Sequence, residues 1–593
     1  MISEDPTNTA VPGQSKARFE TTAQAYLELL SLRGIEYFFA NAGTDFASIV
    51  DAFAYRQQQG DNFPRPITVP HETPLISMAH GYYMLTGKPQ AAMVHVGVGT
   101  ANGLGALMAA QKARVPILFS AGRTPLTESG SPASRSAYIH WGQEAFDQAG
   151  MLREYVKWDY ELKMPSQLET VVDRALVMSM AEPRGPVYLT LPREILAAQY
   201  EGVEFQGAPR FDLPTFYPDP QKLREAVNLL IGAEYPLIIT SSVGRSPAAV
   251  QAFVELADAA GVGVVCFNPE YMNFPLNHSC HLGFLPDESI ATADVILVVD
   301  CDVPWYPNKI VPRDTTKIIQ AGIDPYYSGY PIRGFPSDLT LQGEPALVLS
   351  EITRILRDHP DLKTGTITSR KNNFQEIHNH MLKSFENTVS TVAEDSPIDT
   401  AWVSHSVNRI LGEDTVVVNE YDNAMKQQIN LLPGNYFCTP HAGFLGWAVG
   451  AALGAKLADR EKTVIATVGD GSYMFSVPSA CHFVSAAYQL PILIIVYNNQ
   501  SWHAVKRATL AMYPDGWAAR TNCFPLSDLE PTARYEKICE AFGGYGERVE
   551  NPAQMEPALK RALHAVQNEN RQALLNIICK HPLNGFTGSP AIR

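Results

Sequence analysis

The sequence predicts an α/β protein built as three successive units, each with its own parallel sheet. Short apolar runs of strand length alternate with helix-length segments along nearly the whole chain, the pattern that parallel strand–helix–strand crossovers require. Two stretches interrupt the alternation: 206–221, rich in Pro and Gly, and 358–393, polar and helically spaced. They divide the chain into units at 18–205, 218–357 and 394–593, with 358–393 as a connector. A chain of 593 residues is also too long for one core.

In chain order, the polar residues 1–17, with Glu4 and Asp5 and no apolar signal core, read as a disordered lead-in. Residues 19–33 place apolar side chains at helical spacing and stop at Gly34. A strand at 37–40 runs into the loop Asn41-Ala42-Gly43-Thr44, and a strand at 67–69 gives way at His71-Glu72 to a helix through Tyr83. A third strand, 91–96, enters the glycine-rich helix start Gly97-Val98-Gly99-Thr100-Ala101-Asn102-Gly103. Strands at 116–121 and 186–191 complete the first sheet. The second unit has strands at 236–240, 263–267, 295–299 and 317–321, and the third at 415–419, 464–468, 492–497 and 574–578.

Composition excludes several classes. The formal charge of −15 and the lack of a basic tract argue against a nucleic-acid partner. No apolar run is long enough for a membrane span. The eight cysteines include no CxxC pair, so buried free thiols in a reducing cytoplasm are expected rather than disulfides or zinc.

The chemistry concentrates in the third unit, where strand 464–468 breaks at Gly469-Asp470-Gly471-Ser472 and strand 492–497 ends in Asn498-Asn499-Gln500-Ser501-Trp502. One helix-length segment separates them, so both strands deliver polar residues to the same carboxyl-end edge, where such sheets bind ligands. Asp and Asn arriving together are hard oxygen donors suited to Mg²⁺, which keeps sites for water and phosphate. Glycines there let backbone approach a phosphate. Glu72 suits a helix first turn, where a carboxylate favours the dipole. His95, closing a strand, suits either core packing or proton transfer near neutrality.

The ordered set Gly469-Asp470-Gly471 … Asn498-Asn499 resembles the cofactor motif of thiamine-diphosphate-dependent enzymes related to pyruvate oxidase, acetolactate synthase and benzoylformate decarboxylase. The resemblance extends over His95 to Leu107, Val416 to Asn423 and His441 to Trp447. It implies that Asp470, Asn499 and the Ser501 carbonyl hold Mg²⁺. It also implies that Gly469, Gly471, Ser472, Asn423 and Trp502 lie around the cofactor, that Leu445 props its bent shape, and that Glu72 meets its pyrimidine. Asn41-Ala42-Gly43 maps onto a cofactor loop, and Thr44 and His95 map onto active-site positions. The resemblance further implies a homodimer or homotetramer with the cofactor between subunits, so that Glu72 and Asp470 of one site come from different chains.

The expected substrate is a 2-keto acid or related carbonyl compound, decarboxylated or ligated. A lyase for 2-hydroxyacyl-CoA or 1,2-diketones is the enzymatic alternative, with Lys506, Arg507 and Arg520 as candidate basic residues at the pocket mouth. A non-catalytic structural or regulatory homologue is the other. His140, Trp141 and Gln143 suit either the pocket entrance or a solvated loop. Flavin segments of the acetolactate synthases are replaced by Gly283-Phe284-Leu285-Pro286 and Asp302-Val303-Pro304-Trp305-Tyr306-Pro307, which makes FAD doubtful.

Overall fold

The computed structural model describes residues 19–60, 63–200, 205, 213–421 and 431–580. The expected lead-in at 1–17, part of the 206–221 linker and Asn423 lie outside the described residues. Three sheets run successively along the chain, and every strand pairing is parallel. Read across the first sheet, the strands are Arg65–Thr68, Tyr37–Ala40, Gln90–Val94, Ile117–Arg123, Val187–Pro192 and Asp159–Glu161. The second follows Leu339–Gln342, Lys317–Gly322, Val295–Val299, Pro236–Thr240 and Gly263–Cys266. The third follows Tyr436–Cys438, Thr415–Glu420, Thr463–Gly469, Leu493–Asn498, Ala573–Ile578 and Tyr545–Val549. Central strands such as Leu493–Asn498 are buried throughout, the requirement of a sheet covered on both faces. The 29-residue helix Thr364–Val392 runs between the second and third sheets. No helix of the described residues is long and apolar enough to cross a membrane.

Two local expectations are corrected. The strand expected to reach residue 96 ends at Val94, and the chain turns into the helix Val96–Lys112 with Val96 at φ +30°. The turn points the Val96 N–H at the Asp45 carboxylate, 3.2 Å away, and leaves His95 at the mouth of the sheet. The single helix expected between Gly471 and Pro491 is two, Asp470–Phe475 and Pro478–Tyr488. Pro478 has no N–H to continue the first helix, and Val477 takes φ +54° to redirect the chain.

One apolar core joins the first and third sheets, running from Phe39 and Phe119 through Met78 to Trp447, Ala451 and Val496. Its centre is the crossing of helices Glu72–Thr86 and Trp447–Ala458. A Cβ on Gly81 would fall 2.0 Å from the Ala451 carbonyl oxygen, and one on Gly454 would fall 2.0 Å from that of Met78. The two backbones therefore touch directly, with glycine required at each contact.

Candidate active site

The first half of the site lies at the carboxyl edge of the first sheet. His71 accepts the Thr73 N–H on Nδ1 at 3.1 Å and so caps the helix that Glu72 opens. Glu72 is 6% exposed, and its two carboxylate oxygens are held separately. Asn41 Nδ2 donates to Oε1 at 2.9 Å, and Asn102 Nδ2 donates to Oε2 at 2.5 Å. Asn41 follows strand Tyr37–Ala40 and Asn102 sits on the helix after strand Gln90–Val94, so adjacent strands bring both amides to one carboxylate. His95 lies at the same edge, with Nδ1 at 2.5 Å from Asp45 Oδ1 and Nε2 at 3.2 Å from Gln143 Nε2. The Asp45 hydrogen bond lifts the imidazole above its ordinary pKa against the opposing pull of burial. Thr44 and Ala42 are exposed at the turn, and Asp45 rather than Thr44 is the loop residue on the His95 ring.

The second half lies at the carboxyl edge of the third sheet. Asp470 follows strand Thr463–Gly469 directly and opens the next helix. Burial pushes its carboxyl up to about 6, against the hydrogen bond from the Gly471 amide. Oδ1 accepts the Gly471 N–H at 3.0 Å, while Oδ2 is buried with no hydrogen-bond partner. Such an anion asks for a cation. Asn499 Oδ1 accepts the Ser501 N–H at 3.0 Å, and its Nδ2 donates to Tyr421 Oη at 2.8 Å. One carboxylate, one amide oxygen and one carbonyl form a donor set that fits Mg²⁺ with phosphate and water completing the shell. No group of three or more His, Cys, Asp or Glu that could hold a metal ion gathers among the described residues. Trp502 packs edge-on to Phe475, with its six-membered ring against Gly471.

Glu420 organises the ground between these residues. Its carboxylate accepts the Gly446 N–H at 2.5 Å and the Ala448 N–H at 2.6 Å, and the Ser472 hydroxyl also bonds to it. Burial raises this carboxyl to about 7 despite those bonds. Glu420 thus fixes the start of helix Trp447–Ala458 and the half-buried Leu445 just before it. Asp45, Asn102 and Glu420 join the site without standing out in the sequence. The local signal was a carboxylate or amide within two turns of a strand's carboxyl end, a position many residues share. Lys506, one of the basic candidates for the pocket mouth, is instead 2% exposed and paired with Asp528 above the Phe524 ring. Arg507 and Arg520 are exposed.

The middle sheet has its switch point between strands Pro236–Thr240 and Val295–Val299, where such folds take nucleotides. Here that crevice is knitted by the protein's own groups. Asp300 pairs with Arg245 at 3.0 Å and with Arg114 of the first unit at 3.3 Å. Ser241 Oγ lies 3.0 Å from Cys301 Sγ. His441 of the third unit binds Asp302 at 2.9 Å. Arg333 donates to the Asp302 carbonyl at 2.7 Å.

The model of the "thiamine pyrophosphate enzyme, N-terminal TPP binding domain" matches residues 20–151, and that of the C-terminal TPP binding domain matches residues 420–577. The chain is 26% identical to a benzoylformate decarboxylase of Pseudomonas aeruginosa, over 92% of this chain and 97% of that protein. It is 23% identical to a sulfoacetaldehyde acetyltransferase of Castellaniella defragrans, covering 95% of this chain and 94% of that one. It is 22% identical to an acetolactate synthase large subunit of Escherichia coli, covering 86% and 87%. The fold superposes on the crystal structure of benzoylformate decarboxylase from Polynucleobacter necessarius with a TM-score of 0.76 at 19% identity, over 95% of this chain and 99% of that one. Three parallel α/β units, the matched first and third units, and relatives along nearly the full length place the chain in the thiamine-diphosphate-dependent enzyme superfamily.

Proposed function

We propose that the chain is a Mg²⁺-dependent enzyme that breaks or forms a carbon–carbon bond beside the carbonyl of a 2-keto acid, as a decarboxylase or carboligase, in the cytoplasm. The observation that supports this most is the pair Glu72 and His95: two acid–base groups at one sheet edge, each held by separate partners. Asp470, Asn499 and the Ser501 carbonyl would hold Mg²⁺. Gly469, Gly471 and Ser472, with Asn423, would meet the diphosphate, with Trp502 beside them. Leu445 and the Asn41–Gly43 loop would flank the rest of the cofactor. When bound, thiamine diphosphate supplies a carbon nucleophile and an electron sink next to the substrate carbonyl.

The chain's own residues then divide the proton work. Glu72, fixed on both oxygens by Asn41 and Asn102, holds or releases a proton toward the pyrimidine edge. His95 would act on substrate, its Nε2 placed to give the proton that takes the place of the departing carboxylate. Large apolar side chains stand exposed on the same elements: Val98, Trp141 and Phe146 near His95, and Met474 and Phe475 on the Asp470 helix. A second copy of the chain would cover them, completing each site with Glu72 from one subunit and Asp470 from the other. The replaced middle-unit segments, and the contacts that Asp300, Arg245 and His441 make in the middle crevice, support a reading without flavin.

The test is turnover by purified protein with thiamine diphosphate and Mg²⁺ against aryl and alkyl 2-keto acids, following CO₂ and the coupled product. Consumption of at least one is expected, with no flavin absorption on denaturation. Cleavage of 2-hydroxyacyl-CoA or 1,2-diketones alone would move the assignment to the lyase alternative. Failure to bind thiamine diphosphate would leave a non-catalytic homologue.

A further inference from the structure

His95 sits in a socket more elaborate than a histidine needs for packing. Asp45 is 3% exposed, and its two oxygens are assigned: Oδ2 accepts the Val96 N–H at 3.2 Å, and Oδ1 faces His95 Nδ1 at 2.5 Å. An ionised carboxylate only accepts, so Nδ1 carries hydrogen. The backbone is bent to arrange this. Val96, a β-branched residue, stands at φ +30°, a conformation that persists only where surroundings impose it. Space is cleared as well. A Cβ on Gly122 would lie 2.0 Å from Asp45 Oδ2, and one on Gly43 would lie 2.1 Å from His95 Nδ1. At the other nitrogen, Gln143 Nε2 approaches His95 Nε2 at 3.2 Å while Gln143 Oε1 is buried with no partner. Rotating that amide by half a turn exchanges the two atoms, so it donates to a bare Nε2 or accepts from a protonated one.

We propose that Asp45 and Gln143 make His95 a one-ended proton carrier: Asp45 keeps the Nδ1 proton in place, and the Gln143 amide serves Nε2 in both of its states. Asp45 and Gln143 are positioning residues, since both act through His95. The inference rests on His95 as the substrate-side acid–base group. The other titratable groups facing the ring are Glu72, whose charge adds to that of Asp45, and His140 on the short helix Ile139–Gly142, held below its ordinary pKa first by burial and then by Arg193 and Arg135.

The test is ¹⁵N NMR of histidine-labelled, cofactor-free protein through a pH titration, with His95→Gln used to assign the resonances. In the wild type, Nδ1 should stay protonated throughout and only Nε2 should titrate; a neutral form with bare Nδ1 overturns the proposal. The isosteric Asp45→Asn change should lower the midpoint by about 1 to 3 pH units, the effect of losing a close opposite charge. An unchanged midpoint overturns it. Gln143→Leu should lower turnover while leaving Nδ1 protonated, and a loss of the Nδ1 proton in that variant counts against the division of roles. With a substrate in hand, the alkaline limb of the pH–rate profile should move with the Asp45→Asn midpoint. On a His95→Ala background, Asp45→Asn should change turnover no further. If no 2-keto acid is consumed, the functional assignment fails while the spectra still decide the proton's position.

Discussion

Glu72 and Asp470 show how differently two carboxylates at strand ends can be held. Glu72 is saturated, one amide per oxygen, and stands ready to exchange a proton. Asp470 keeps one buried oxygen bare. Glu72→Gln should therefore retain thiamine diphosphate but slow exchange of its C2 proton by about 10²- to 10⁴-fold, the weight of one acid–base group. NMR after acid quench reads the exchange, and an unchanged rate removes Glu72 from activation. The identities of Glu72, Asp470, Asn499 and His95 were legible because each stands at a strand end in a known order. Their partners were not. That Asn102 rather than another polar residue reaches Glu72, or that Asp45 rather than Thr44 reaches His95, depends on how neighbouring strands place two loops, which no local pattern records.

At the scale of elements, the same division holds. The central strands were visible as unbroken apolar runs because both their faces are covered. Asp159–Glu161, Leu339–Gln342, Tyr436–Cys438 and Tyr545–Val549 escaped the sequence analysis, and all four lie at sheet edges. None is buried along its whole length, Asp159–Glu161 and Tyr436–Cys438 are only three residues long, and none shows the unbroken apolar run that marks a central strand. Helix ends hide their ties in the same way. Arg370, on helix Thr364–Val392, donates to the carbonyls of Ile231 and Ala260 at 2.9 Å each, and to that of Ala233. It thereby satisfies the last turns of helices Pro220–Gly232 and Pro247–Ala260. Arg370→Met should destabilise the protein by about 1 to 3 kcal/mol, the adjoining cavity at Gly232 and Lys363 admitting water to part of the loss. Denaturant unfolding measures it, and unchanged stability would mean that the clasp is idle.

For the whole molecule, the middle unit is tied to the third by an ion pair whose sign of pH dependence is defined. Burial pulls the His441 imidazole down, but Glu270 and Asp302 outweigh it and lift it to about 10; burial pushes Asp302 up, but His441 draws it down to about 2. A histidine raised in the folded state stabilises fully below its unfolded pKa of about 6.5 and loses that contribution as pH rises through about 10. His441→Gln should therefore cost about 1.5 to 3 kcal/mol near pH 5 to 6. The difference from wild type should shrink steadily toward pH 10, and a pH-independent difference would contradict the assignment. The proposed assembly has its own test. Glu72→Gln and Asp470→Ala proteins, each inactive alone, should regain about a quarter of wild-type activity after mixing and reassortment, because half of the dimers become mixed and each of those holds one intact site. No recovery would place Glu72 and Asp470 of one site in the same chain.

The contact between helices Glu72–Thr86 and Trp447–Ala458 has a mechanical corollary. Packed helices usually slide on a cushion of side chains that shift rotamer as they go. Where Gly81 meets Ala451 and Gly454 meets Met78 there is no cushion, because backbone rests on backbone. A slide of one helix along the other would therefore drive backbone into backbone, and the first and third units should resist shear at this contact. The middle unit meets the third differently, through the His441–Asp302 pair, the Tyr271–Phe437 ring contact and apolar packing of Val250 and Met272. As alkaline pH neutralises His441, the protein should loosen there first, with the Glu72 and Leu445 supports still locked together.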